Sequence, residues 1–216
     1  MATPSKRARV KTLLDGYGVT VAEQLRIPVA KNTPAPLFQL LNAALLLSAR
    51  ISADNALRAA RALIDAGLTT PQKMVSASWQ DRVDVITWHG YKRYDERTAT
   101  MLGDTAQRLL DDYGGDLRRL REAAQRDPQQ EKKLLTGFGG IGPTGADIFL
   151  REVQVAWEEV YPYADARVLK SAQRLNLGDT PGALARHTSR QDLPRLAAAL
   201  LRVDLQNAYD EVMKAA

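Results

Sequence analysis

Apolar residues recur at helical spacing through most of this chain of 216 residues, and this periodicity limits the fold more than any other feature. Leu37, Leu40, Leu41 and Ala44 are one example, because spacings of three and four place them on one face of a helix. No stretch alternates apolar and polar residues over a convincing strand length. The sequence therefore predicts an all-α fold of about ten short helices separated by glycine and proline.

The composition excludes several kinds of site. The chain has no cysteine, so disulfides, thiolate zinc sites, iron–sulfur clusters and cysteine nucleophiles are all excluded. Its two histidines, His89 and His187, lie far apart in sequence and do not favour a metal site. A net charge of +5 favours an anionic partner. We therefore expect chemistry from carboxylates, hydroxyls, lysines or backbone groups, without a resident metal.

Neither a membrane span nor a signal peptide is indicated. The longest nearly apolar run, from Leu40 to Ala49, is about half of the roughly 20 residues that a span needs. The amino terminus is basic, but a long apolar stretch does not follow it. We expect a soluble cytoplasmic protein, associated with the nucleoid if its partner is DNA.

The stretch from Gly137 to Asp147, GFGGIGPTGAD, holds more glycine than a plain turn between two helices needs. Glycine adopts positive φ readily, and Pro143 suits the first turn of the following helix. The N-terminus of such a helix carries free N–H donors and partial positive charge, with which a backbone holds a phosphate oxygen. Ile141 is expected to anchor the turn in the core. A tight turn that binds nothing is the alternative from these residues alone.

The hairpin segment from Gly140 to Ala146 resembles the helix-hairpin-helix motif of the DNA glycosylase superfamily (HhH-GPD) that includes endonuclease III. In that family an aspartate at the start of a helix follows about twenty residues later, as Asp165 does here. Three further segments are similar to family patterns: Leu37–Arg50, His89–Ala99 and Leu109–Gly115. The resemblance covers residues 35–175.

The resemblance implies a two-subdomain helical DNA glycosylase fold with a cleft between the subdomains. We expect a central six-helix domain over residues 32–155, ending in the helix-hairpin-helix at about 129–157. The second helical domain is expected to combine residues 1–31 with 156–216 and to carry Asp165. The absence of the family's four-cysteine loop points to the branch without an iron–sulfur cluster. The expected partner is double-stranded DNA with a damaged base, bound by a monomer; a monovalent cation at the hairpin is left open.

Asp165 is the residue that the resemblance assigns to catalysis. Cleavage of an N-glycosidic bond builds positive charge on the deoxyribose, which a carboxylate stabilises. Taken alone, an aspartate before a helix is an ordinary N-cap. Thr144 stands where strand-cleaving relatives carry the lysine that forms a Schiff base, and a hydroxyl cannot form an imine. We predict a monofunctional glycosylase. The alternatives are a lyase that uses a displaced lysine, Lys132, Lys133 or Lys170, and a non-catalytic DNA-binding protein.

The resemblance also assigns DNA contacts. Phosphate contacts are expected from Gly140, Ile141, Gly142, Thr144, Gly145, Arg167 and Lys170, with Lys6, Arg7, Arg9 and Arg174 as further cations. The residues expected to fill the gap left by a flipped base are Arg50, His89 and Tyr91. Arg118, Arg119 and Arg121 are interpreted as a solvated helix face.

The extruded base is expected to stack on aromatic faces, which core packing would explain equally well. The candidates are Trp157, Tyr161, Tyr163 and Phe149. An electron-rich pocket would favour a cationic alkylated purine through cation–π attraction, and this substrate is the expected one. A hydrogen-bonding pocket would favour an oxidised or deaminated base.

Overall fold

The computed structural model describes residues 5–88 and 95–214. Within these ranges the chain forms fourteen α-helices and two short 3-10 helices, and no β-strand. The prediction of an all-α fold is confirmed. None of the described helices is long and apolar enough to cross a membrane.

The helices are short and follow one another closely along the chain. In order they are α1 (Lys6–Tyr17), α2 (Val21–Leu25), α3 (Pro34–Ser48), α4 (Ala53–Asp65), α5 (Pro71–Ser76), α6 (Trp79–Trp88), α7 (Asp95–Tyr113), α8 (Leu117–Ala123), α9 (Pro128–Leu135), α10 (Pro143–Val153), α11 (Ala166–Arg174), α12 (Pro181–Ala185), α13 (Leu193–Gln206) and α14 (Tyr209–Lys214). The 3-10 helices are Val29–Lys31 and Glu158–Val160.

Local sequence signals set most helix starts. A threonine or aspartate cap followed by proline begins α5, α9 and α12, where the proline occupies a position that needs no N–H. Thr20 and Glu23 form a reciprocal capping box at the start of α2.

Two helix ends are set by features beyond local periodicity. Helix α10 stops at Val153, because the chain turns there and carries Trp157 into the core. Helix α13 ends at Asn207, which adopts φ 52° and separates α13 from α14.

The core consists of two hydrophobic clusters. The first runs from Leu25 to Val160 and centres on α3, which packs against α4 and α10 and is buried along most of its length. The second joins α1, through residues such as Leu13, to α11, α13 and α14. The domain bounds at residues 32 and 155 stay a prediction.

Buried polar side chains at the C-terminal end of α10 form hydrogen bonds to two other segments of the chain. The carboxylate of Glu152 accepts hydrogen bonds from the backbone N–H groups of Val21 and Ala22, at 3.1 and 3.0 Å. The side chain of Gln154 donates to the carbonyl of Tyr163 and accepts from its N–H. Helix α10 therefore holds both the start of α2 and the segment that leads into α11.

Candidate functional site

The turn between α9 and α10 is fixed by a glycine and an apolar anchor. Gly140 adopts φ 84°, and a Cβ atom there would lie 2.7 Å from Sδ of Met101. The Ile141 side chain is 2% exposed, which confirms that it anchors the turn. Its N–H donates to the carbonyl of Phe138 at 3.0 Å, so the expected phosphate contact from this amide is wrong.

The N-terminus of α10 presents the remaining hairpin donors. Its N-cap is Gly142, which has no side chain to accept a hydrogen bond from the first turn. Pro143 occupies the first helical position, and Thr144 after it is exposed. The amide of exposed Thr144 is therefore better able to meet a phosphate oxygen than the amide of Gly145, which is buried.

One face of α10 carries a row of polar residues from the hairpin toward α11. Thr144, Asp147 and Arg151 share this face because they are spaced by three and four residues. Oδ1 of Asp147 accepts from the hydroxyl of Tyr163 and lies 2.5 Å from Nζ of Lys132. Arg151 faces Asp165 at the start of α11.

Asp165 is the N-cap of α11. Its Oδ1 accepts from the N–H groups of Arg167 at 3.0 Å and Val168 at 3.3 Å. Its Oδ2 lies 3.3 Å from Nη1 of Arg151, in an ion pair without hydrogen-bond alignment, and this buried oxygen has no hydrogen-bond donor among the described residues. The side chains of Asp165 and Arg151 are 10% and 14% exposed. The carboxylate is therefore oriented by two amides and covered by an arginine.

The hydroxyl of Tyr163 is a further hydrogen-bond donor near the Arg151–Asp165 ion pair, and it donates to Asp147. Burial, and next its hydrogen bond to Asp147, raise the pKa of Tyr163 well above its usual value, so its hydroxyl keeps its proton. The stacking role of Tyr163 stays a prediction, and its hydroxyl is held in place by Asp147. In the described part of the chain, no group of three or more carboxylates and histidines is placed to hold a metal ion.

Two of the four aromatic residues expected to stack on a base lie in the core. Trp157 and Phe149 are fully buried and pack edge to face, with ring centroids 5.5 Å apart. Nε1 of Trp157 donates to Oδ1 of Asn32 at 3.1 Å. The prediction that these two rings line a base pocket is wrong, because core packing already covers their faces. Tyr161 is half-buried, and the guanidinium of Arg190 lies 5.4 Å from its ring centroid.

The three cations on α11 have different surroundings. Nε of Arg167 pairs with Asp204 at 2.9 Å, and the guanidinium of Arg174 stacks 3.6 Å from the ring centroid of Tyr209. Lys170 is exposed and has no ionic partner among the described residues. Lys170 is therefore the α11 cation best placed to meet a phosphate without losing another contact.

Two other basic residues depart from the sequence predictions. Arg9 is 5% exposed and donates to the carbonyl of Leu175, so the expected phosphate contact is wrong. Arg121 pairs with Glu159 and is 13% exposed, so it does not belong to a solvated face.

Of the three residues expected to fill the gap left by a flipped base, the structure describes only Arg50. Arg50 is exposed and follows the end of α3 by two residues. The end of α3 lies beside the hairpin turn, since Oγ of Ser48 donates to the carbonyl of Gly140 at 3.3 Å. His89 and Tyr91 lie outside the described residues.

Asp147 and Arg151 were not predicted as site residues. Their spacing from Thr144 on the helix after the hairpin was the available signal, because it places all three on one face. The partners of these side chains come from α9 and from the segment before α11, which helical periodicity does not reveal.

No protein-family model matches this chain, and a comparison with curated proteins finds no match. Among solved structures, the chain is similar to one described as a trapped endonuclease III–DNA covalent intermediate in an estranged-adenine complex. The sequence identity is 16% and the TM-score 0.49, and the match covers 93% of this chain and 86% of that one.

Proposed function

We propose that this chain is a monofunctional DNA N-glycosylase that acts in base excision repair. It flips a damaged base out of a duplex and hydrolyses the N-glycosidic bond. One contact carries this proposal: Nη1 of Arg151 on the hairpin helix lies 3.3 Å from Oδ2 of Asp165. The carboxylate therefore lies against the C-terminal half of the helix whose N-terminus could hold a phosphate, and Thr144 is about 10 Å from Arg151 along that helix.

The geometry of Asp165 suits a carboxylate that stabilises a cation on the sugar. Two amides fix its side-chain orientation through Oδ1. Oδ2 has no hydrogen-bond donor among the described residues and is the oxygen that would face C1′ and orient a water molecule. Because Arg151 covers this oxygen, the flipped nucleotide reaches it only after the arginine side chain moves.

A glycosylase with lyase activity is the second candidate, and the position of Lys132 favours it. Thr144 cannot form an imine, but Nζ of Lys132 lies 2.5 Å from Asp147 on the same face of α10. A lysine must lose a proton before its amine attacks C1′, and Asp147 is placed to accept that proton.

The first test measures base release from duplexes that each carry one lesion: alkylated purine, uracil, oxidised pyrimidine, 8-oxoguanine or an abasic site. We expect strand breaks only after alkali. Asp165→Asn should slow base release by about 10²–10³-fold, because the transition state loses its charged stabiliser, and should leave duplex affinity unchanged. Asp116→Asn is the matched control, since Asp116 also caps a helix and pairs with an arginine.

The other outcomes separate the alternatives. Strand breaks without alkali that disappear in Lys132→Ala would establish the lyase. Duplex binding without release of any base would establish a non-catalytic DNA-binding protein. Normal release by Asp165→Asn would contradict the role of this carboxylate.

A further inference from the structure

The amide side chain of Gln154 lies between the hairpin helix and the segment that leads to Asp165. Gln154 directly follows the end of α10 at Val153, and it is fully buried. Its Nε2 donates to the backbone carbonyl of Arg151 at 2.8 Å and to that of Tyr163 at 3.2 Å. Its Oε1 accepts from the backbone N–H of Tyr163 at 3.0 Å. One amide group therefore joins the backbone of α10 to the backbone two residues before Asp165.

The segment between Gln154 and Asp165 has little freedom to shift. Both N–H groups of the Gln154 amide have an acceptor and its oxygen has a donor, so any displacement would leave buried polar groups without partners. The hydroxyl of Tyr163 is attached to Asp147 of α10 as well. Ala164, the one residue between Tyr163 and Asp165, is buried in the second hydrophobic cluster. The start of α11 is therefore held at a fixed place beside α10.

The place of Asp165 relative to α10 bears on the reaction, because a carboxylate stabilises a cation on the sugar only at close range. The amides of Arg167 and Val168 orient the carboxylate within α11, but they do not position α11 against α10. The amide of Gln154 supplies that second constraint. An error of about 1 Å in the position of a reacting group can cost about 10²-fold in rate.

We propose that Gln154 is a positioning residue that sets the distance between Asp165 and the N-terminus of α10, and through this distance the rate of base release. This inference rests on the proposed function of Asp165. Gln154 is buried and touches neither the base nor the sugar, so it acts through the backbone of Tyr163. A glutamine suits this role because its amide both donates and accepts, whereas a methionine of similar length does neither well.

The test measures single-turnover base release from the lesion that the wild-type chain releases fastest, at a temperature where circular dichroism shows each variant folded. Gln154→Met should slow release by about 10–100-fold and leave duplex affinity unchanged. In the Asp165→Asn background the same substitution should change the rate by less than about twofold, because its effect passes through the carboxylate. Glu152→Met is the matched control and should keep the wild-type rate, since Glu152 is a buried polar group at the same end of α10 that holds α2 instead.

A second variant, Gln154→Glu, links the position of Asp165 to pH. A protonated carboxyl group offers one acceptor and one O–H donor and can replace most bonds of the amide, whereas a carboxylate cannot donate. Burial keeps such a group protonated to a higher pH than in water. The release rate of Gln154→Glu should therefore approach that of wild type at low pH, and its ratio to the wild-type rate should fall as pH rises.

Three outcomes would overturn the inference and leave the glycosylase function intact. They are normal release by Gln154→Met, equal slowing by Glu152→Met, and a full additional loss when Gln154→Met is combined with Asp165→Asn. If Gln154→Met does not fold, a ratio for Gln154→Glu that stays constant with pH would overturn the inference. Release of no base by the wild-type chain would overturn it together with the proposed function.

Discussion

At the scale of single residues, Gly140 determines the course of the hairpin turn. Its φ of 84° lies in the left-handed region, which residues with a Cβ rarely adopt. A Cβ atom there would also lie 3.3 Å from Cγ of Leu45, so the turn approaches α3 too closely for a side chain. Thr105 holds the preceding peptide by donating to the carbonyl of Gly139 at 3.1 Å. The position of the α10 N-terminus therefore depends on this one glycine.

Gly140→Ala should reduce the free energy of unfolding by about 1–2 kcal/mol, because alanine is strained at positive φ and meets Met101. Gly139→Ala is the matched control in the same turn, since a Cβ there meets nothing within 4 Å and its φ lies outside the left-handed region. Urea unfolding followed by circular dichroism measures both variants. Equal stability of the two would show that the turn adapts to a side chain at residue 140.

At the scale of helices, the sequence predicted where elements begin better than where they end. Starts were predictable because caps and prolines act locally, as at Asp127 before α9. The end of α10 at Val153 was not predictable, because burial of Trp157 in the first cluster decides it. The hairpin was predictable from its glycine pattern, whereas the contact between Arg151 and Asp165 joins two helices at a distance that periodicity does not encode.

Three helical elements meet at a buried pair of carboxyl groups. Glu131 of α9 is fully buried, and neither of its oxygens has a donor among the described residues. It lies against Glu159 of the second 3-10 helix, which pairs with Arg121 of α8. Burial, and next the contact with Glu159, raise the pKa of Glu131 to about 8, with a smaller contribution from Asp127. A protonated Glu131 can donate a hydrogen bond to the carboxylate of Glu159, and an ionised Glu131 cannot. The buried Glu131 carboxyl group therefore has a hydrogen-bond partner only while it holds a proton.

This pair should make stability fall as pH rises from about 4.5 to about 8. Over that range the unfolded chain loses the Glu131 proton first while the folded chain keeps it, so alkali favours unfolding. Glu131→Gln should remove this dependence and unfold with a free energy about 2 kcal/mol higher than wild type near pH 8. Urea unfolding at pH 5.5 and 8.5 measures the effect, with exposed Glu122→Gln on α8 as the control. The same pH dependence in wild type and Glu131→Gln would refute it.

At the scale of the whole molecule, the chain carries a net charge of +5, but most of the described cations on α11 already contact an acidic or aromatic side chain. On α11, Arg167 is paired and Arg174 is stacked on Tyr209, whereas Lys170 is exposed. Lys170 lies just over one helical turn after Ala166, the first residue of α11, which Asp165 caps. We therefore expect the positive charge to act on DNA through a small number of phosphate contacts, with Lys170 among them.

Duplex affinity should fall linearly with the logarithm of salt concentration, with a slope of about −0.9 per phosphate contacted. Lys170→Ala should lower the magnitude of this slope by about one, because one contact and its released counterion are lost. Arg118→Ala removes the same formal charge from a guanidinium that Asp116 already neutralises, so its slope should match wild type. Fluorescence anisotropy with an undamaged duplex at several salt concentrations gives all three slopes. If both variants shift the slope equally, net charge rather than a contact at Lys170 governs binding, and the DNA-binding surface has to be sought away from α11.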